Sequence, residues 1–205
     1  MHIIIGLGNP GDEYKMTRHN TGRIILEQLA KKHKFSEWKE EIKMKALVSK
    51  GEIDGEKFTF FLPNNFMNNS GKSVILLFKS LLKSDTAAAK KKLLDKFVVV
   101  YDDMDLTIGS IKISFDRSSG GHNGVESMIK SLKSREFSRI RVGISPATAK
   151  GVAKKPNGED KVVDFLLKNF KPPELDELIK VSRRVETALV ILSAEGRPKA
   201  MSVCN

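Results

Sequence analysis

A chain of 205 residues is long enough to bury one substantial core and makes no strong case for two domains. Its 36 Lys and Arg against 25 Asp and Glu leave a net charge of +11, an excess that suits a polyanionic partner. The single cysteine, Cys204, excludes an internal disulfide and a cysteine-rich zinc site, and no apolar run is long enough to span a bilayer. The chain enters a strand-like run at once, without the pattern of a signal peptide, so a soluble protein of the reducing cytoplasm is expected.

The first strand is expected in "HIIIGL". Behind it, Gly6, Gly8 and Gly11 match the GxGxxG spacing of dinucleotide-binding loops, but the context is wrong for that use. Pro10 interrupts the turn, and a polar run from Asp12 to Arg18 delays the first helical face to Ile24. The acidic ribose partner due about 20 residues on falls in "LAKKHKF", which has none. The loop instead delivers Asn9, Tyr14, His19 and Asn20 beside one strand end. Ile25, Leu29 and Ala30 then share a helical face. "KALVSKGEI" and "KFTFFLP" read as strands joined at Asp54 and Gly55 by a hairpin turn. Past the Asn-rich "PNNFMNNSG", Val74, Leu77, Phe78 and Leu81 mark a second helix. Residues 83–96 read as an irregular surface excursion. The strand "KFVVVY" follows, with Asp102, Asp103 and Asp105 placed just beyond its end. "GSIKISF" and "SRIRVGI" are further strands, separated by a helix through Met128, Ile129 and Leu132. A second irregular segment covers 145–160. The last helix opens behind Pro172 and Pro173, lines one side with Leu175, Leu178, Ile179, Val185, Leu189 and Leu192, and stops at Gly196 and Pro198. This alternation argues an α/β fold, a mixed sheet with helices packed on both faces.

In open α/β sheets, ligands sit beyond the carboxyl ends of strands, and the residues expected there form an unusual set. They comprise Asn9 and His19, then Asn64, Asn65, Met67, Asn68 and Asn69, then the acids at 102, 103 and 105, then "DRSSGGHNG". Asparagine offers both donor and acceptor atoms, which suits holding a water, an amide or a developing oxyanion. Histidine is the natural general base near neutral pH, and a carboxylate against its second nitrogen would fix its tautomer. His2 and His33 read as structural or solvated, and His122, between a glycine turn and a helix, as packing or capping. "GKS" at 71–73 fails as a phosphate loop because Phe66 occupies the place of its first glycine, and no GxSxG elbow is present. Three acids in "YDDMDLTIG" invite a magnesium reading, which turn chemistry explains as well.

The blocks "GLGNPGDEYKMTRHNTG", "FMNNSGKSV", "YDDMDLTIG", "SSGGHNGVESMI" and "FSRIRVGI" resemble, in order and approximate spacing, those of the bacterial-type peptidyl-tRNA hydrolases, over nearly the whole chain. The resemblance implies one domain over 1–205 with a twisted mixed sheet. It also implies hydrolysis of the ester between a peptide and the terminal ribose of tRNA, without metal or cofactor. By motif position it makes His19 the base that activates water and Asp102 its orienting carboxylate. Asn9 and Asn68 would position substrate and water, and Asn123 the peptide main chain or the water. Tyr14 and Met67 would shape the cleft, and Arg141 would meet the tRNA backbone. The expected partner is peptidyl-tRNA, held at its acceptor end and phosphates by a monomer with no membrane association. A noncatalytic RNA-binding relative is the alternative, disfavoured by the joint presence of His19, Asp102 and three asparagines. The chain departs from the family pattern at Leu62, Tyr101 and Thr107, and in a longer segment after Ile144. It also departs at Ser114, where a basic residue that grips a terminal phosphate is usual; Lys112, sharing a strand face with Ser114, and Arg117 in the following turn are the candidates to replace it.

Overall fold

Continuous apolar runs such as Ile3–Ile5, Phe60–Leu62 and Phe97–Tyr101 suit strands covered on both faces, and they form the middle of the sheet. The computed structural model describes residues 2–205. Its strands are β1 (His2–Gly6), β2 (Lys39–Glu41), β3 (Ala46–Ile53), β4 (Glu56–Pro63), β5 (Phe97–Thr107), β6 (Ile111–Phe115) and β7 (Ser138–Ser145). They make one mixed sheet in the order β2-β3-β4-β1-β5-β7-β6. The inner four run parallel, and β2, β3 and β6 are antiparallel to their neighbours. Because the chain leaves β1 for β4 on one side and returns to β5 on the other, a crevice opens at the carboxyl ends of these strands.

Helices α1 (Thr21–Lys32), α6 (Pro172–Ala194) and α7 (Arg197–Cys204) cover one face, burying Ile25, Leu29, Val185 and Leu189 against Ile4, Phe60 and Val100. On the other face α2 (Ser70–Leu81), α3 (Ala87–Leu94) and α4 (Asn123–Leu132) pack Val74, Leu94 and Met128 on Ile3, Phe61 and Val99. This is the α/β sheet with helices on both faces that the periodicity predicts. The opening glycines serve this packing. A Cβ on Gly22 of α1 would lie 2.1 Å from the Val100 carbonyl oxygen, and one on Gly6 would lie 2.7 Å from that of Gly22. The Asp54–Gly55 turn is confirmed as well, with φ of 48° and 82° at the two residues, as a type I′ hairpin requires.

Several expectations are corrected. The acids after "KFVVVY" lie inside β5, because pairing of Asp102 with Val142 and Asp103 with Gly143 of β7 carries the strand on to Thr107. Residues 83–96 hold a regular helix, α3, whose first turn is capped by the Thr86 side chain accepting from the Ala89 amide. The segment 145–160 is pinned by the Ala147–Ala153 bridge and ends in α5 (Glu159–Leu167), which periodicity left unassigned. Ile179 is exposed rather than on the buried side of α6, and Pro198 starts α7 rather than ending the helical region. Among the described residues no helix is long and apolar enough to cross a membrane.

Candidate active site

Three strand ends meet at the crevice. The turn Arg18–Asn20, just ahead of α1, carries His19, and neighbouring groups fasten it on both sides. Asn20 closes the loop after β1 on itself: its Oδ1 accepts from the Asn9 amide at 2.8 Å and its Nδ2 donates to the Asn9 carbonyl at 2.9 Å. Arg18 is buried, donating to both oxygens of Glu174 at 2.7 and 3.0 Å and to the carbonyls of Lys168 and Asn169, with its guanidinium over the Phe165 ring. The turn is therefore tied to the segment between α5 and α6.

His19 and Asp102 are both buried and face each other, Nδ1 lying 3.0 Å from each carboxylate oxygen. That nitrogen donates its proton to the carboxylate, so Nε2 keeps its lone pair; among the described residues it has no partner, and His19 faces the cleft. Burial disfavours the imidazolium, but the charge of Asp102 and its hydrogen bond outweigh this and raise the His19 pKa above the ordinary 6.5. Burial likewise favours the neutral acid at Asp102, yet the two imidazoles on it hold it well below the usual carboxylate range. The second imidazole is His122, whose Nε2 is 3.0 Å from Asp102 Oδ1. His19, Asp102 and His122 are also a possible metal-ligand set, with their ligand atoms within 4.8 Å of one another, but those same atoms are joined by hydrogen bonds, and a metal would consume the base.

The cleft has two lobes that share His19 and Asn123. The smaller, about 250 Å³, is lined by Asn9, Phe66, Met67 and Asn68, with Val163, Leu166 and Leu167 of α5 across from them. Asn9 Oδ1 accepts from the Met67 amide at 2.7 Å, so what Asn9 has left for a ligand is its Nδ2 donor. Asn68 and Asn123 are exposed and both line the lobe. The larger lobe, about 770 Å³, has Lys112, Arg117 and Arg141 on its wall and Ser114 beside them. Lys112 lies opposite Arg141 across the β6–β7 ladder, and Arg141 is paired with Asp103. Ser114 is buried and its hydroxyl has no partner.

The model of the peptidyl-tRNA hydrolase family matches residues 3–205. The chain belongs to this family. A peptidyl-tRNA hydrolase of Fusobacterium nucleatum is 40% identical over 206 residues, covering 100% of this chain and 96% of the relative. One from a Thermoanaerobacter species is 37% identical with both chains covered in full. The crystal structure of the peptidyl-tRNA hydrolase from Acinetobacter baumannii superposes with a TM-score of 0.81 at 27% identity, covering 98% of this chain and 93% of that one.

Of the residues that resemblance to peptidyl-tRNA hydrolases nominates, His19, Asp102, Asn9, Met67, Asn68, Asn123 and Arg141 line the cleft, as do Lys112 and Arg117. Tyr14 does not line either lobe; its ring stands edge-on to Phe66, with centroids 6.2 Å apart. Three contributors escaped the sequence reading. Helix α5 had a signal in Val162, Val163, Leu166 and Leu167 behind Gly158, but it buries none of its residues and so lacks a core-sized stripe. Arg139, two residues before Arg141, turns inward and donates to the Ser118 and Arg117 carbonyls at 2.8 and 2.6 Å, supporting the loop ahead of α4. His122 does cap α4 as expected, but it also reaches Asp102, which no local pattern announces.

Proposed function

We propose that this protein hydrolyses the ester linking a peptide to the terminal ribose of tRNA, using water activated by His19. The single observation that carries this is the buried His19–Asp102 pair, which presents an unpartnered Nε2 to the cleft of a peptidyl-tRNA hydrolase family member. Nε2 takes a proton from water as the oxygen attacks the ester carbonyl carbon, and Asp102 steadies the imidazolium that forms. The tetrahedral oxyanion needs donors where its charge develops; the free Nδ2 groups of Asn9, Asn68 and Asn123 are of the right type and stand around the same lobe. On collapse the ribose oxygen leaves and takes the proton from His19, giving a free tRNA hydroxyl and a peptide carboxylic acid, which releases its own proton to solvent to become the carboxylate. The base is regenerated.

The two lobes suit the two halves of such a substrate. Cationic Lys112, Arg117 and Arg141 favour the phosphate side, with the Ser114 hydroxyl as a further donor, while Phe66, Met67 and Leu167 favour the peptide side. Lys112 is the better replacement for the basic residue missing at Ser114, because it stands opposite Arg141 on the cleft wall. We further propose that the protein acts as one domain and as a monomer. The test is release of peptide from peptidyl-tRNA by the wild type and by His19→Ala. A wild type that binds peptidyl-tRNA without cleaving it would leave a noncatalytic RNA-binding relative as the reading.

A further inference from the structure

Two imidazoles share one carboxylate in this site, and the second is fastened at both ends. His122 Nδ1 is 3.2 Å from the Gly124 amide and 3.3 Å from the Val125 amide, so it accepts from the open first turn of α4. A nitrogen that accepts from two N–H groups carries no proton, which leaves the ring proton on Nε2, 3.0 Å from Asp102 Oδ1. The His122 ring also lies edge-on to Tyr101, with centroids 4.8 Å apart, and its carbonyl accepts from the Glu126 amide at 3.0 Å. Asp102 Oδ1 is thus shared by the two imidazoles, whose ring centroids are 4.9 Å apart, and its second donor is one that helix α4 itself keeps in place.

We propose that His122 is a positioning residue for the hydrolysis: its Nε2–H orients the Asp102 carboxylate toward His19, and its Nδ1 locks the helix that carries Asn123 to the same ring. This rests on His19 being the base. One side chain then sets the distance between the base and the first residue of α4, two groups that reach the cleft from elements otherwise unconnected in sequence. Asp102 is the charge that acts directly on His19 among the described residues; Tyr101 packs against His122 and is itself hydrogen-bonded to Arg139, and the Glu126 side chain is engaged with Ser119. From α5 the facing groups are the apolar Val163 and Leu166.

The two roles separate in His122→Asn. Asparagine is a good N-cap, so α4 and the melting curve should survive, but its shorter side chain cannot reach Asp102. Deprived of that donor, Asp102 holds the His19 proton more firmly. The acid limb of kcat/KM should therefore move up by about half a pH unit, and kcat should fall about tenfold or more with KM changed little. A His122→Asn enzyme with wild-type kcat and pH profile overturns the inference. The ring-nitrogen shifts of ¹⁵N-labelled wild-type protein at neutral pH supply a test that needs no variant: His122 should show its proton on Nε2, and a proton on Nδ1 overturns the proposal. Turnover retained in His19→Ala would instead break the base assignment, a failure visible apart from either result for His122.

Discussion

The corner that holds the proposed base and the rim that faces it are built on opposite terms. At the corner, His19 and Asp102 are buried, each carboxylate oxygen is engaged, and the turn bearing His19 is fastened through Arg18 and Asn20. Across the cleft, Asn68 and Asn123 are exposed, and α5 lies over the crevice while burying none of its residues. A proton acceptor gains from being fixed before the substrate arrives, since misplacement by about 1 Å can cost on the order of 10²-fold in rate. Exposed amides gain little from such rigidity, and water can reach them until a ligand displaces it.

If this division holds, the largest loss belongs to the corner. His19→Ala should lower kcat by about 10²- to 10⁴-fold, the range general-base catalysis supplies, in single-turnover assays on peptidyl-tRNA. A mild loss would mean that the base is elsewhere.

Asp102→Asn should cost less than the loss of the ring itself, because it acts through the histidine. It should also remove the charge that raises the His19 pKa. The wild-type rate should rise with pH through a midpoint above 6.5, where His19 gives up its proton, and in Asp102→Asn that midpoint should fall. The stability signs follow from the same pair. The raised His19 pKa stabilises the fold at low pH and loses that contribution as pH climbs through the folded value. The depressed Asp102 pKa stabilises above the ordinary 3.8, and this is lost as acid protonates it. The two titrate as a unit, so melting measured across pH should show a broad maximum between these limits.

The rim should respond more gently. Asn68→Ala is expected to lower kcat about tenfold, and Asn123→Ala to divide a loss of similar size between kcat and KM. Unchanged kinetics in both would return "PNNFMNNSG" and the start of α4 to turn and cap chemistry alone. The smallest effect is expected at Lys112, exposed on the wall of the larger lobe. Lys112→Ala should leave kcat alone, weaken tRNA binding, and reduce the slope of log affinity against log salt by about one. It should also blunt discrimination between tRNA ends with and without a terminal phosphate. An unchanged slope would pass the role to Arg117.

The parts of the fold that could be read from sequence are those where local pattern and tertiary packing agree. Ile3–Ile5, Phe60–Leu62 and Val98–Val100 are apolar because both faces are covered, and Asp54–Gly55 turns because its two φ angles are positive. Reading failed where partners override pattern. Acids at 102 and 103 look like a turn, but β7 pairs with them as strand. Lysines in α3 hide a helix that a threonine cap begins. At the site, the motif residues were legible because they fall in short local blocks of sequence, whereas the second hydrogen bond of His122 and the inward turn of Arg139 depend on groups far away in sequence.

The sheet ends in two edges, and the chain treats both. β2 is three residues long, with Lys39, Glu40 and Glu41 all exposed. On β6 the Asn205 amide accepts from the Ile113 N–H at 2.6 Å and donates to the Ile113 carbonyl at 3.0 Å, occupying the outward backbone pair at mid-strand. A foreign strand seeking a ladder would find one border short and charged and the other already filled by a side chain that mimics a peptide bond. Resistance to edge-to-edge aggregation is thereby written into the borders of the same sheet whose inner strands lead into the cleft.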